Sequence, residues 1–184
     1  MTRKLFQLTV CLSVLSYSVC IFASTNMTSD NIQKKLENKH LSLPAVVAPI
    51  ANYVPYVVSG NMVYISGQLP IENAKVKFVG KVGHDFSTEQ GREAAKLCVL
   101  NILAQLQAAI GDLNKVKRVV KITGFVNAAA DYIEQPKVMN GASDLLVELF
   151  GEQGKHARSA VGVQSLPLNA AVEVEAIFEI NEAL

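Results

Sequence analysis

Cysteine is scarce in this chain, three in 184 residues, and two of them, Cys11 and Cys20, fall in one apolar N-terminal run. Beyond that run Cys98 stands alone, which excludes an internal disulfide and a cysteine-ligated metal from the rest of the chain. Histidine is equally sparse, and His40, His84 and His156 share no metal-ligand spacing; they are expected as surface residues. Neither sign of charge is in excess. The formal net charge is +1 and the cations are scattered among the acids, so no charge-driven nucleic-acid surface is expected. The sequence carries no phosphate loop, dinucleotide fingerprint or serine nucleophile elbow, and no cofactor is implied. What it does have is apolar mass: 50% of residues are hydrophobic and 18% charged, enough for a proper core in a single domain.

Arg3 and Lys4 precede an uncharged apolar run from Leu5 to Phe22 that ends at Ala23 and Ser24. This is the anatomy of a secretory signal peptide, with cleavage expected after Ala23; the alternative is a permanent anchor, since the run approaches the length of a spanning helix. Tyr17, Ser18 and Val19 lack the small residue that a lipoprotein signal places before its cysteine. The expected product is an exported chain, periplasmic or secreted, near neutral and with no stable membrane anchor. Residues 24–44 are expected as a polar tether closing at Pro44, within which Ile32 and Leu36 permit a short amphipathic helix over Asp30 to Lys39. The domain proper is expected over 45–184.

Tyr53 to Val58 and Met62 to Ser66 are β-rich runs joined by Ser59, Gly60 and Asn61, a hairpin signal. Val76 to Val79 reads as a short strand. Ser87 with Gln90 forms a capping box, followed by apolar residues at helical spacing from Ala95 to Ala109 and a stop at Gly111. Arg118 to Val126 is rich in β-branched residues and reads as a strand. Pro136 opens a second helix that stops at Gly151. Ser159 to Val163 and Ala171 to Ile180 read as the last strands. In the final one Val172, Val174, Ala176, Phe178 and Ile180 alternate with Glu173, Glu175, Ile177 and Glu179. The predicted class is α+β, a mixed sheet with two helices on one face. The carboxylate-bearing face of the last strand suits partial burial against another subunit.

Asn61 through Pro70 (NMVYISGQLP) resembles the first-hairpin signature of the reactive intermediate deaminase (Rid, YjgF-like) family. Ala157 through Val161 (ARSAV), Leu166 with Pro167, and Glu173 through Ala176 (EVEA) resemble its C-terminal signature. The resemblance implies a chorismate-mutase-like fold, a homotrimer, and a site at each subunit interface that binds a small imino or keto acid. The activity it implies is hydrolysis of enamines or imines to a 2-keto acid and ammonia. It places the substrate arginine on Arg158, the acid/base glutamate on Glu173 and a site tyrosine on Tyr53. Ser66 and Gly67 then line the pocket, Ala160 offers a backbone donor, and Asn140 aligns roughly with a helix asparagine near the site.

Arg158 suits its part chemically, because a guanidinium grips a carboxylate through two parallel hydrogen bonds and a lysine cannot. On its strand it shares a face with Ala160 and Gly162, both small. Position alone does not select Glu173 from Glu175 and Glu179 on the same face. The sequence also departs from the family. Ala160 stands where a cysteine is frequent, Ala51 and Asn52 replace the glycine and proline before the tyrosine, and Asn127 and Ala128 break the pattern after the central strand. Two rival functions remain: a noncatalytic trimer binding small carboxylates or proteins, and an endoribonuclease, which near-neutral charge disfavours.

Overall fold

The computed structural model describes residues 31–46 and 52–183, so the expected signal peptide and the first part of the tether lie outside the described residues. The first hairpin pairs β1 (Tyr56–Ser59) with β2 (Met62–Gln68) around Gly60, whose φ of 60° suits a residue without Cβ. The strand begins at Tyr56 and not at Tyr53. Pro55 has no N–H to give a ladder, and its carbonyl instead accepts from the Ser66 backbone N–H. β3 (Ile71–Glu72) and β4 (Lys75–Val76) form a two-stranded ribbon of their own, so the short strand expected over Val76 to Val79 is displaced. Val79 keeps only an isolated bridge to Ala170.

α1 (Ile32–Asn38) precedes the hairpin, α2 (Thr88–Ile110) and α3 (Gln135–Phe150) follow it, and β5 (Val116–Asn127), β6 (Ala157–Val163) and β7 (Val172–Ile180) complete the main sheet. Its strand order is β1-β2-β7-β5-β6, with β5 and β6 parallel and the other neighbours antiparallel. The parallel pair needs a crossover, and α3 supplies it. β6 is therefore an edge strand, and among the described residues its outer side has no sheet partner.

The long helices pack on one face of this sheet. α2 opens on the full Ser87–Gln90 capping box, and its Ala95, Cys98, Val99, Ile102 and Leu106 are buried. α3 buries Val138, Ala142, Leu145, Leu146 and Leu149. From the sheet Val172, Val174, Ala176, Phe178 and Ile180 rise to meet them. Each large apolar side chain so buried contributes about 1.5 to 3 kcal/mol.

The described chain has three helices, not the two expected. α1 falls in the stretch expected as tether, yet Ile32 and Leu36 are buried, Leu36 at 1% exposure, against α3 and the short turn at Leu113–Lys115. Asn31 caps its start, and the Ile32 N–H donates to Asn114 Oδ1 at 3.1 Å.

Asn127, one of the departures from the family pattern, is fully buried. Its Nδ2 donates to the carbonyls of Gly80 and Ala170 and to Asn169 Oδ1, while its Oδ1 accepts from Lys81 Nζ. One side chain thus ties the end of β5 to two loops, as a buried amide must if its polar atoms are to be satisfied.

Candidate active site

Register decides what each face of the sheet presents. Ile122 of β5 pairs with Ala176 on one side and Arg158 on the other, and directly opposed residues share a face. Ile122 and Ala176 are buried under the helices, so Arg158 points to the helix side at the exposed edge strand. There its Nη1 donates to Asn140 Oδ1 and to Ser143 Oγ of α3, each at 3.0 Å. Asn140 and Ser143 lie three residues apart and so occupy one helical face. Both hydrogens of Nη1 are used; those on Nε and Nη2 are left. Among the described residues Arg158 has no carboxylate partner, and the Nε–Nη2 edge forms a free two-donor fork.

Ala160 and Gly162 follow Arg158 on the same face of β6. A methyl group on Gly162 would come within 2.7 Å of Gln135 Nε2. Beyond this point opens a cleft of about 490 Å³ lined by Lys81, Tyr132, Gln135, Gly162 and Gln164.

Glu173 stands on the other face. It pairs with Phe125, which pairs in turn with Val161, and it alternates with the buried Val172 and Val174. Its carboxylate lies over Gly67, where an added methyl group would overlap Oε1. Burial, with a smaller contribution from the like charge of Glu175, lifts its carboxyl above the usual glutamate range. The Ser66 hydroxyl donates to Pro55 O at 3.1 Å, which fixes the segment that follows Tyr53. Tyr53 itself is 57% exposed, outside any strand.

The open face also holds a hollow of about 290 Å³ lined in part by Tyr56, Tyr64, Ser66, Lys121, Thr123 and Glu175. Tyr64 and Val57 are exposed beside it. The structure thus gathers Arg158, Asn140 and Ala160 on one face and Glu173, Gly67 and Ser66 near the other. Within one chain it does not join the two groups.

His156 corrects an expectation. It is half-buried, not a free surface residue: Nε2 lies 3.1 Å from Ser143 Oγ and Nδ1 lies 2.5 Å from Gly154 O. Burial, reinforced by Arg158, holds its pKa below the ordinary histidine value. Ser143 and His156 were missed in the sequence because their neighbourhood depends on how α3 lies across β6. Among the described residues no group of three His, Cys, Asp or Glu is placed to hold a metal.

The five-stranded mixed sheet with two long helices on one face is the α+β architecture of the YjgF-like class of folds. Residues 33–180 match the family described as "YjgF/chorismate mutase-like, putative endoribonuclease". The chain is 46% identical over 156 residues to protein TCP17 of Trypanosoma cruzi, covering 84% of this chain and 98% of that one. It is 32% identical over 141 residues to the 2-iminobutanoate/2-iminopropanoate deaminase of Dermatophagoides farinae, covering 77% and 95%. Among solved structures, protein Atu1372 of Agrobacterium tumefaciens superposes with a TM-score of 0.78 at 49% identity, covering 83% of this chain and 94% of that one. The protein belongs to the Rid/YjgF family.

Proposed function

We propose that this protein hydrolyses small 2-imino acids to 2-keto acids and ammonia, at sites formed where two copies of the chain meet in a homotrimer. The observation that carries this is the Arg158 guanidinium, which is held from behind by Asn140 and Ser143, lacks any carboxylate partner among the described residues, and keeps a two-donor edge free. That edge matches the two oxygens of a substrate carboxylate. The deaminase name of the Dermatophagoides farinae relative supports the same chemistry.

The imine carbon is already electrophilic, so holding it beside a positioned water is most of what is needed. Glu173 takes a proton from that water as its oxygen adds to the carbon and passes it to the nitrogen, which leaves a neutral carbinolamine. Glu173 then takes the carbinolamine hydroxyl proton and gives it to the nitrogen, so that the C–N bond breaks, the carbonyl forms and ammonia leaves. A carboxyl lifted by burial suits this base role near neutral pH. Tyr53 hydrogen-bonds substrate or water, Ser66 and Gly67 line the carboxylate side, and Ala160 offers its backbone N–H. Because Arg158 and Glu173 occupy opposite faces of one sheet, the Arg158 of one copy works with the Glu173 of the next. The exposed Val57 and Tyr64 would then be covered at that interface. Export after cleavage at Ala23 belongs to the same proposal.

The test adds the purified protein to an enamine-generating pyridoxal enzyme and follows 2-keto acid release. Faster release is expected. Unchanged release with retained keto-acid binding would leave a noncatalytic binding module, and ribonucleotide release from a defined RNA by repurified protein would indicate the endoribonuclease instead.

A further inference from the structure

We propose that Ser143 and His156 are positioning residues that lock the Arg158 guanidinium in its ligand-ready orientation through a one-directional hydrogen-bond relay ending at the Gly154 carbonyl. This rests on the carboxylate-clamp role of Arg158 given above.

The direction of every bond in the relay is forced by chemistry. A carbonyl oxygen can only accept, so the 2.5 Å contact between His156 Nδ1 and Gly154 O puts a hydrogen on Nδ1. In the neutral ring Nε2 is then an acceptor. Ser143 Oγ, 3.1 Å away, must donate its hydrogen to it. A lone pair of the same oxygen therefore faces Arg158 Nη1, which donates at 3.0 Å. The hydroxyl has no second orientation to adopt while the ring is neutral. Asn140 Oδ1 takes the other Nη1 hydrogen. Two acceptors one turn apart on α3 thus fix the guanidinium plane, and one of them is itself fixed by His156.

The direction of the relay holds only while His156 is neutral. Protonated, the ring donates from Nε2, so Ser143 Oγ uses both lone pairs accepting, its own hydrogen loses its fixed partner, and a second cation stands next to Arg158. Other charges near the ring are already matched. Lys155 pairs with Glu152 at 2.7 Å, and Asp144, beside Ser143, pairs with Arg92 at 3.1 Å. The remaining groups presented to the ring are the neutral Ser143 of α3 and the Gly154 carbonyl. Burial favours the neutral ring, the Gly154 carbonyl pulls the other way, and the charge of Arg158 adds to burial, so that the balance lies on the neutral side.

The experiment uses the mature full-length protein and two readouts. Calorimetric titration with 2-ketobutyrate, which stays ionised throughout, is run at pH 7.5 and pH 5 on wild type and on Ser143→Ala, His156→Ala and His156→Gln. Nitrogen-15 NMR of the guanidinium reads rotation at Arg158 Nη1 without ligand. Ser143→Ala removes one bond to a charged group and is expected to weaken binding about tenfold at pH 7.5 and to free Nη1 rotation. Wild-type binding is expected to weaken as the pH falls. His156→Gln keeps an acceptor for the Ser143 hydroxyl but cannot titrate, so it should retain most of the binding and lose the pH dependence, while His156→Ala behaves like Ser143→Ala. Unchanged Nη1 rotation in Ser143→Ala, or the wild-type pH dependence persisting in His156→Gln, overturns the relay. A wild type with rigid Nη1 that binds no keto acid would instead refute the clamp and leave the relay standing.

Discussion

Arg158 and Glu173 lie on opposite faces of the same sheet: the arginine reaches the helix side at the edge strand β6, and the glutamate stands on the open side of β7, two strands away. No side-chain rotation brings the two together within a chain. In the proposed function a site using both is heterologous, with its two halves contributed by two copies of the chain.

Subunit mixing follows directly. Arg158→Ala and Glu173→Gln are each expected to be inactive alone. Refolded or co-expressed together, they should recover about a quarter of wild-type activity, the statistical share of interfaces that pair an intact arginine with an intact glutamate. Imine hydrolysis by the mixture is the measurement, and no recovery in verified mixed trimers would place both residues' work within one chain.

Gly67→Ala puts a methyl group where Glu173 Oε1 now lies. The obstructed atom ends a flexible side chain, so the fold should survive with little change in melting temperature. The carboxylate should not keep its place. A displacement of about 1 Å costs on the order of a hundredfold in turnover, with keto-acid binding at Arg158 retained.

Glu175 is the like charge that helps lift Glu173, so Glu175→Gln should lower the Glu173 pKa and move the acid limb of the pH–rate profile to lower pH. The stability consequence has a definite sign. With the folded pKa above the unfolded one, the folded state holds a proton that the unfolded chain has released. Glu173 therefore costs stability progressively as the pH rises from the ordinary glutamate value through its folded value. Denaturant titrations across that window on wild type and Glu173→Gln should differ by this slope, the wild type losing stability relative to the variant as the pH rises.

Leu36→Ala distinguishes a packed α1 from a tether. A side chain at 1% exposure is expected to cost about 2 to 5 kcal/mol on truncation, whereas a solvated linker residue would change stability by under about 0.5 kcal/mol. Chemical denaturation of the mature protein separates the two.

Much of the fold was legible locally. The Ser87–Gln90 box, the stops at Gly111 and Gly151, and the alternation of β7 each specify their element through nearby residues, and all three stand in the structure. Ile32 and Leu36 carried the signal for α1, but two apolar positions in a polar stretch do not reveal whether a docking surface exists. The ribbon at β3 and β4 turns on Asn73 and Ala74 in left-handed backbone, which ordinary strand propensities do not encode. At the site, the face shared by Arg158, Ala160 and Gly162 follows from period-two alternation. That Glu173 stands opposite the apolar stripe of β7 follows from the same alternation, but that Arg158 lies on the helix side instead needed the register of three strands. The partnership of Ser143 with His156 needed the placement of a helix.

The most direct measurement is calorimetric binding of 2-ketobutyrate to Arg158→Lys beside wild type, with fold and assembly checked by sedimentation. Lysine preserves the charge and loses the planar fork, so one or more directed bonds of roughly 1.5 to 3 kcal/mol disappear. Binding is expected to weaken about tenfold to a hundredfold, with imine hydrolysis falling in step. Wild-type affinity and turnover in Arg158→Lys would contradict the assignment and put the carboxylate clamp elsewhere.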